Sequence, residues 1–460
     1  MRARLSFSLL FIILCTTHTL AEPGPGRMPP QQAIQACQDK QQGASCSFDA
    51  PRGTVNGTCR NIPNGFACIP EGRMPPRSMT ESPARQNRAG GPNGGAVSQP
   101  IPSATPVSNT ITARSRIVDT AQVYCFDDQG AVIACPQRGE RFFGQDAQYL
   151  GTQPAYRDNG DGTVSDLNTG LVWQKAHNAK RVGYYDAKRD CESLTLGGKH
   201  DWRLPSLKEL FSIADFSGSQ GTGRFYLDSR YFDIAYPGAN EDMGREASHH
   251  PEMMGQTWTS TIYTGNHMGR GVEAAFFFNF FDGHIKNAPT SGPFALFHRC
   301  VRGNEYLALN DFQNNGDGTV SDHSTGLTWQ RADDGKTRDW PGALRYCATL
   351  DLGGKRDWRL PNVKELQSIV DYTRNDPAID TSHFVQTDRN GWFWSSTTHG
   401  DNTRMAAYVC FGKCTSVDGV DTHGAGAQRA DPKTGDPSDY TSLGGQRDAV
   451  RIYNYVRCVR

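Results

Sequence analysis

The chain has 460 residues, and its 48 lysines and arginines balance its 48 aspartates and glutamates. This length allows two or three domains of ordinary size, each able to bury a core. The formal net charge of zero gives no basic surplus, so we expect no nucleic-acid partner. No apolar segment is long enough to span a membrane, so we also expect no transmembrane helix.

Residues 1–21 have the composition of a secretory signal peptide. A basic start, Met1-Arg-Ala-Arg4, precedes a short apolar run from Leu5 to Cys15 and a small-residue cleavage site at Thr19-Leu-Ala21. We therefore expect an exported protein that resides in the periplasm, on the cell surface or in the medium.

The chain has 13 cysteines, of which Cys15 lies in the signal peptide. An even number thus remains in an oxidising compartment, where disulfides persist. Residues 31–70 form a small module that contains four of them, Cys37, Cys46, Cys59 and Cys68. Zinc is the alternative to disulfides, but no histidine or close Cys-x-x-Cys spacing supports it. The sequence leaves the connectivity of these four cysteines open.

Two connecting segments follow the four-cysteine module. Residues 71–113 are rich in Pro, Gly and Ser and nearly lack large apolar residues, which is typical of a disordered linker. Residues 117–156 predict a β-hairpin lead-in, with a disulfide between Cys125 and Cys135 across the hairpin. We expect the aromatic-rich piece at 142–149 to pack on the domain that comes next.

The remaining sequence contains the same pattern twice, over residues 157–302 and 314–460. Each copy begins with Asn-Gly-Asp-Gly-Thr-Val-Ser-Asp and continues through Trp-Gln, a cysteine, Trp-Arg-Leu-Pro and Trp-(Thr/Ser)-Ser-Thr. Each copy ends with Arg-Cys-Val-Arg. A repeat of this length indicates a duplicated domain, because solenoid units are far shorter.

Each copy predicts a hairpin, two helices and three further strands. Apolar residues at spacings of three and four predict a first helix that ends at a pair of glycines, and a second helix that begins at Pro205 or Pro361. The strands are predicted at 257–262, 273–281 and 295–301 in the first copy, and at 392–397, 406–411 and 450–459 in the second. The run from Phe276 to Phe281 is typical of a strand that is buried on both faces or covered by the other repeat.

The order of these elements predicts how the cysteines of the repeats pair. Cys191 lies on the first helix of its copy and Cys300 on the last strand, and Cys347 and Cys458 repeat the arrangement. We therefore expect one disulfide within each copy, worth roughly 4 to 5 kcal/mol in the chain-entropy model. Cys410 and Cys414 have no counterparts in the first copy and predict a local bridge rather than a redox pair.

The ordered motifs of both copies resemble the Lcl C-terminal domain family, named after the Legionella collagen-like adhesin. A more distant likeness, through Ala343-x-x-Tyr346-Cys347, Arg359-Leu-Pro361 with Glu365 and the final Arg-Cys-Val-Arg, links the chain to the sulfatase-modifying family. The resemblance implies an α+β fold of two tandem C-type-lectin-like domains. Each would contain two helices and a small, twisted, mostly antiparallel sheet.

The family resemblance implies an exported, non-enzymatic, adhesin-like module that binds extracellular polysaccharides or cell-surface glycans, with homo-oligomers as an open possibility. One alternative is a structural envelope or matrix protein without a small ligand. The other is a cysteine- or metal-dependent enzyme related to the sulfatase-modifying proteins. The spacing of Cys410 and Cys414 does not match that family, and no helical His-x-x-x-His motif joins the scattered His249, His250, His267 and His284.

Candidate ligand residues lie in the Gly-rich insertion at 423–440 and on two strands. In the insertion, the candidates for a ligand or calcium loop are Asp431, Asp436, Asp439 and Arg429, and a plain surface loop is the alternative. The turn at Asn159-Gly-Asp-Gly162 departs from the EF-hand pattern, so a plain turn is favoured there over a calcium site. We expect no cofactor, with calcium as the alternative. Trp258 and Trp394 are candidates for stacking on sugars, although their strand pattern favours the core.

Charged side chains around the first helix suggest a further surface and a further structural role. A cationic face that binds polyanions, or is simply the solvated side of the helix, would contain Lys175, Lys180, Arg181, Lys188 and Arg189. In each copy the arginine of Trp-Arg-Leu-Pro is predicted to brace a nearby glutamate. These pairs are Arg203 with Glu209 and Arg359 with Glu365.

Overall fold

The computed structural model describes residues 36–38, 40–41, 44–50, 53–62, 65–70, 117–178, 180–219, 224–234, 255–304, 309–444 and 446–460. The predicted signal peptide and linker lie outside these residues. The chain divides into two compact units, Met1–Ala104 and Thr105–Arg460. Within the described ranges, no helix combines the length and apolar character needed to cross a membrane.

The first unit contains a three-stranded antiparallel sheet of β1 (Ser45–Ala50), β2 (Gly53–Ile62) and β3 (Gly65–Pro70). Disulfides join Cys37 to Cys59 and Cys46 to Cys68, each across 22 residues. These bonds settle the connectivity that the sequence leaves open. All four cysteines are buried, so the cross-links form the centre of this module.

The described part of the second unit is an α+β structure with four α-helices and fifteen strands. The helices are α1 (Tyr184–Glu192), α2 (Leu207–Ser212), α3 (Trp340–Thr349) and α4 (Val363–Ser368). The strands are β4 (Cys125–Phe126), β5 (Val132–Ile133), β6 (Tyr156–Asp158), β7 (Thr163–Asp166), β8 (Val172–Gln174), β9 (Gln256–Tyr263), β10 (Ala274–Asn279), β11 (His284–Pro289), β12 (Val301–Arg302), β13 (Phe312–Asn314), β14 (Thr319–Asp322), β15 (Leu327–Gln330), β16 (Trp392–Thr398), β17 (Met405–Cys410) and β18 (Gln428–Pro432).

The four helices lie where the sequence predicts them, but two of the expected boundary signals are wrong. The second helices begin after the N-caps Ser206 and Asn362, which form capping boxes with Glu209 and Glu365. The motif prolines therefore precede the caps rather than start the helices. The first helices end several residues before the glycine pairs, which instead form tight turns with φ near +60°.

The two repeats share one six-stranded antiparallel sheet, ordered β16-β17-β18-β11-β10-β9. Each repeat contributes three strands in mirrored order, and the third strands meet where Ile285 pairs with Gln428. This arrangement gives the pair an approximate two-fold relation. The hairpins of the repeats form separate sheets, β12-β8-β7-β6 and β13-β14-β15.

Strand prediction fails at the end of each repeat and at the joint between them. The segments predicted as strands at 295–301 and 450–459 mostly form isolated bridges, such as Thr257 with Phe297 and Phe393 with Tyr455. The third strands, β11 and β18, are not predicted because both are rich in polar residues and end in proline. Their central place in the sheet comes from the pairing of the repeats.

The shared sheet has a buried core on each face. Along β10, alternate side chains point to opposite faces, and all six residues are buried, which confirms the predicted two-sided strand. Phe276 and Phe278 belong to a core that contains residues of α2, of α4 and of both repeats. The ring centroid of Phe276 lies 5.0 Å from that of Tyr372 in the second repeat. Ala275 and Phe277 face a separate core that contains α1.

Disulfides close both repeats and two shorter segments. Cys191 bonds to Cys300 and Cys347 to Cys458, with Cα–Cα distances of 5.4 and 5.5 Å. The pairing within each copy is therefore the one that element order predicts. The other two bonds are also those expected, Cys125–Cys135 and Cys410–Cys414.

The lead-in packs chiefly on the second repeat, so the expectation that its aromatic piece packs on the first repeat is wrong. Phe142 lies against Trp340, and Asp146 Oδ2 accepts a 2.6 Å hydrogen bond from Thr397 Oγ1. The start of the lead-in also contacts the first repeat, where the backbone N–H of Phe216 donates to the carbonyl oxygen of Thr120 at 2.8 Å. The physical reason is that α3 presents Leu344 and Ala348 at the positions where α1 presents Lys188 and Glu192.

Candidate functional site

The first arginine of each Arg-Cys-Val-Arg motif is buried and ties together three backbone segments. Arg457 donates to the carbonyl oxygens of Gln330 and Val385, each at 3.0 Å, and to that of Arg331. Arg299 makes the equivalent bonds in the first repeat. Burial lowers the pKa of Arg457 to about 10. These arginines are structural, since no solvent reaches their guanidinium groups.

The arginine of each Trp-Arg-Leu-Pro motif braces a glutamate, as predicted. Arg359 donates through two nitrogens to the two carboxylate oxygens of Glu365, each at 2.6 Å. Arg203 pairs with Glu209 in the same way, at 2.8 and 2.6 Å. Each glutamate also accepts a hydrogen bond from the backbone N–H of the N-cap of its helix. The arginines themselves form β-bridges with Val301 and Val459, so each pair connects the start of the helix to the end of its repeat.

The lysine directly before each of these glutamates donates hydrogen bonds to the other repeat. Lys364 Nζ donates to the carbonyl oxygen of Ser212, the last residue of α2, at 2.9 Å. Lys208 Nζ donates to that of Ser368, the last residue of α4, at 2.7 Å. Carbonyls at a helix C-terminus lack intrahelical partners and attract cations. The two lysines thus cap each other's helices across the approximate two-fold axis.

Replacing Lys364 with methionine should lower the free energy of unfolding by about 1–3 kcal/mol, because buried carbonyls lose their partner. Lys364 is 4% exposed and also donates to Asp119, whereas Lys208 is only half-buried. We therefore expect a smaller loss for Lys208→Met. Urea unfolding monitored by tryptophan fluorescence measures both variants, and a Lys364→Met protein as stable as the wild type would contradict the capping role.

A cluster of charged and imidazole side chains is buried where the two repeats join. We call it the seam cluster, and it consists of Asp282, His284, Lys286, His399, His423, Arg429 and Asp448. Asp448 accepts from Arg429 Nε at 2.8 Å and from His423 Nε2 at 2.6 Å. Asp282 Oδ2 lies 3.5 Å from Lys286 Nζ and 3.5 Å from His284 Nδ1. Sequence reasoning missed this cluster, since its members lie on five separate segments.

The part of the Gly-rich insertion that contains Arg429 and Asp431 is a strand of the shared sheet and not a surface loop. Residues 428–432 form β18, inside the sheet, so Arg429 is buried against Asp448 and Asp431 is fully buried. Asp431 Oδ2 accepts from the backbone of Arg451 and Ile452, each at 3.1 Å. The prediction that Asp431 and Arg429 belong to an exposed loop is therefore wrong.

The other predicted ligand residues do not converge on a site. Asp436 accepts from the backbone of Ser438 in a short 3₁₀ turn that also contains Asp439. Trp258 and Trp394 have no exposed surface and donate from Nε1 to backbone carbonyls, so they belong to the core and are unable to stack on a sugar. These two outcomes follow the core placement that their strand pattern favours.

The predicted cationic face around α1 is largely balanced by nearby acids. Lys175 Nζ lies 2.6 Å from Asp158, Lys188 lies 3.9 Å from Glu192, and Arg189 pairs with Asp186. In the Asn-Gly-Asp-Gly turn, Asp161 Oδ1 accepts from Thr163 within the turn. This surface is therefore the solvated side of the helix with local ion pairs.

The predicted metal and redox residues are occupied by other bonds where the structure describes them. His267 Nδ1 lies 2.5 Å from Asn287 Oδ1, and His284 belongs to the seam cluster. His249 and His250 lie outside the described residues. Across the described ranges, clusters of three possible metal ligands occur only around cysteines that are already in disulfides.

One open surface site combines the lead-in with α3, and we call it the arginine groove. It has a volume of about 550 Å³, and its lining includes the apolar residues Phe143, Ala348 and Leu350. Three arginines, Arg138, Arg345 and Arg356, also line it. Sequence analysis missed this groove because the lead-in was expected on the other repeat.

The charges of the arginine groove are only partly balanced. Arg356 pairs with Asp351 at 2.8 Å, and Arg138 donates to the carbonyl oxygen of Ala348 at 2.7 Å. Glu140 supplies the other carboxylate of the groove. Among the residues that the structure describes, Arg345 is exposed and has no acidic partner. The groove therefore combines arginine side chains with apolar ones in its lining.

Comparison with known families agrees with this architecture. The sequence model of the Lcl C-terminal domain matches residues 162–302 and 318–429. The second match ends within β18, inside the Gly-rich insertion that distinguishes this copy. No curated protein is similar enough to be matched to the chain. The chain therefore belongs to the Lcl C-terminal domain family, with two tandem copies of that domain.

Proposed function

We propose that the protein is an exported, adhesin-like binding protein without catalytic activity, which recognises acidic extracellular or cell-surface glycans through the arginine groove. The observation that carries this proposal is that three arginines and three apolar residues line one groove. Arginine binds carboxylate and sulfate groups through paired hydrogen bonds. The apolar side chains suit the C–H surface of a sugar ring.

The proposed fold of each repeat is C-type-lectin-like. Its support is the disulfide between the first helix and the end of the repeat, together with two helices and a small antiparallel sheet. The proposal of a non-catalytic role is supported by the cysteines, because every cysteine in the described part of the chain is in a disulfide. The bonded Cys410 and Cys414 thus offer no thiolate nucleophile in this state.

We expect Arg345→Glu to weaken binding of the full-length protein to acidic glycans at least tenfold, since one charge-assisted contact is worth about 1.5–3 kcal/mol. The matched control is Lys199→Glu, which reverses one exposed charge on the first repeat. Biolayer interferometry with immobilised chondroitin sulfate, polygalacturonate and neutral dextran measures both variants at two salt concentrations.

Three outcomes of this experiment are informative. Salt-sensitive binding that only Arg345→Glu weakens supports the proposal. Equal weakening by both variants would show that binding depends on the overall surface charge. That result would overturn the arginine groove as the binding site. No binding to any glycan would overturn the glycan proposal and favour a structural component of the envelope or matrix.

A further inference from the structure

The seam cluster joins side chains from both repeats at the centre of the shared sheet. Asp282, His284 and Lys286 lie on or beside β11 of the first repeat, and Arg429 lies on β18 of the second. His399 follows β16, His423 precedes β18, and Asp448 lies in the C-terminal segment that covers them. Six of the seven residues are at most 8% exposed, and the side chain of His284 is 13% exposed.

We infer that the seam cluster is an acid-sensitive latch, in which protonation of its buried histidines loosens the segment around His423 and Asp448 and the strand pairing between the repeats. The inference concerns regulation and does not depend on the glycan proposal. It begins from the hydrogen bonds of the three imidazole rings.

Each histidine has one nitrogen without a hydrogen-bond partner among the described residues. His399 Nε2 lies 2.9 Å from the carbonyl oxygen of Asp282, which only accepts, so this nitrogen carries the proton. His423 Nε2 likewise faces Asp448 Oδ1 at 2.6 Å. The opposite nitrogens, Nδ1 of His399 and His423 and Nε2 of His284, have no partner. A second proton on any ring would therefore be buried without an acceptor.

The charges that face the histidines also oppose protonation. Arg429 and Lys286 are the two cations of the cluster, and Asp448 and Asp282 already balance them. With neutral histidines the cluster sums to zero, so each added proton leaves an uncompensated buried positive charge. His284 and His399 stack with ring centroids 4.7 Å apart and an angle of 9°, so two protonated rings would repel each other. Tyr226 also faces this pair, with its ring centroid 6.0 Å from that of His399.

The direction of the pKa shifts agrees with this geometry. Burial and the nearby Arg429 lower the pKa of His423 to about 4 and hold the pKa of His284 well below 6.5. A depressed histidine pKa means that the opened state takes up protons first as the pH falls below about 6.5. The latch is therefore fully closed above that pH and weakens progressively towards pH 4.

Opening of the latch would also weaken the pairing between the repeats, because β11 and β18 contain residues of the seam cluster and pair with each other. The backbone of β11 pairs with β18 at Ile285 and Gln428, the residues adjacent to His284 and Arg429. Asn287 of β11 also donates from Nδ2 to the carbonyl oxygen of His423, at 2.5 Å. Displacement of His423 would thus remove a bond between the repeats as well as its bond to Asp448.

Amide hydrogen exchange on the full-length protein at pH 7.5, 6.5, 5.5 and 4.5, corrected for intrinsic exchange rates, tests the latch. We expect the protection of peptides covering 284–289 and 428–432 to fall at least tenfold between pH 7.5 and 4.5. Peptides covering the hairpin at 319–330 should keep their protection. A seam that is as protected at pH 4.5 as at pH 7.5, or a hairpin that loses as much, would overturn the inference.

Two variants separate the latch from general acid sensitivity. His423→Gln keeps a donor towards Asp448 but removes the titrating ring, so the pH dependence of seam protection should shrink several-fold. His284→Gln, at the stacked pair, serves the same purpose if His423→Gln does not fold. The exposed His200→Gln is the matched control and should behave as the wild type. An unchanged pH dependence in both seam variants would contradict the assignment.

Discussion

Replacing Cys347 and Cys458 together with alanine should lower the free energy of unfolding by about 4–5 kcal/mol. The bond closes a segment of 111 residues, and a long loop gains much conformational entropy in the unfolded chain when it is released. The loss is a large fraction of the 5–15 kcal/mol typical of a folded domain. Guanidinium unfolding of the double variant, compared with the wild type under non-reducing conditions, measures it.

The matched control is the double alanine variant at Cys125 and Cys135. That bond closes only 10 residues, so the same model gives a loss of about 3 kcal/mol. A Cys347/Cys458 variant no less stable than this control would contradict the role given to the long-range bond. Intact-mass measurement before unfolding confirms that the other disulfides remain closed.

Replacing Arg457 with methionine should lower the free energy of unfolding by about 3–5 kcal/mol, because three buried carbonyl oxygens lose a charged donor. The guanidinium also lies 5.1 and 5.4 Å from the ring centroids of Phe384 and Phe393, contacts that methionine replaces only in part. Chemical denaturation of the purified variant measures the change. The disulfide of the neighbouring Cys458 should still form.

The second arginine of the same motif provides an internal comparison. Arg460 pairs with Asp357 at 2.9 Å, but that carboxylate is 63% exposed. Exposed ion pairs contribute little to stability, so Arg460→Met should cost less than about 1 kcal/mol. Similar losses for the two substitutions would show that the buried carbonyl contacts of Arg457 are not what makes the motif important.

Local sequence pattern predicts the parts of the fold that depend on neighbours along the chain. The helix around Cys347 follows from apolar residues on one face, and its bond to Cys458 follows from the order of elements. The bracing of Glu365 by Arg359 is also readable, since both lie in one short motif. These interactions are decided within a repeat, where spacing carries the information.

The joint between the repeats is not readable in this way. β18 is a short polar segment after a Gly-rich turn, and it becomes a central strand only because β11 of the other repeat lies beside it. Asp431 looks like a loop ligand in sequence, yet it is buried among the backbone of residues that close the second repeat. Lys208 and Lys364 likewise have the sequence pattern of solvated helix residues, and their role depends on the two-fold relation between the repeats.

The arginine groove was missed for a related reason. Its wall at Arg138 and Phe143 comes from the lead-in, which is 200 residues away from its partner helix in sequence. The available signal was the residue at one equivalent position of the first helices, which is Lys188 in the first repeat and Leu344 in the second. The apolar residue indicates that another segment covers the first helix of the second repeat only. Read in that way, the sequence favours docking of the lead-in on the second repeat.

Because the two repeats share one sheet and one hydrophobic core, we expect them to unfold as one cooperative body. Native-state hydrogen exchange in β17 of the second repeat, measured in the wild type and in a variant with Cys191 and Cys300 replaced by alanine, tests it most directly. We predict that removing this first-repeat disulfide lowers the opening free energy of β17 by nearly as much as that of β10. Unchanged exchange in β17 would show that each repeat unfolds independently and would contradict the claim.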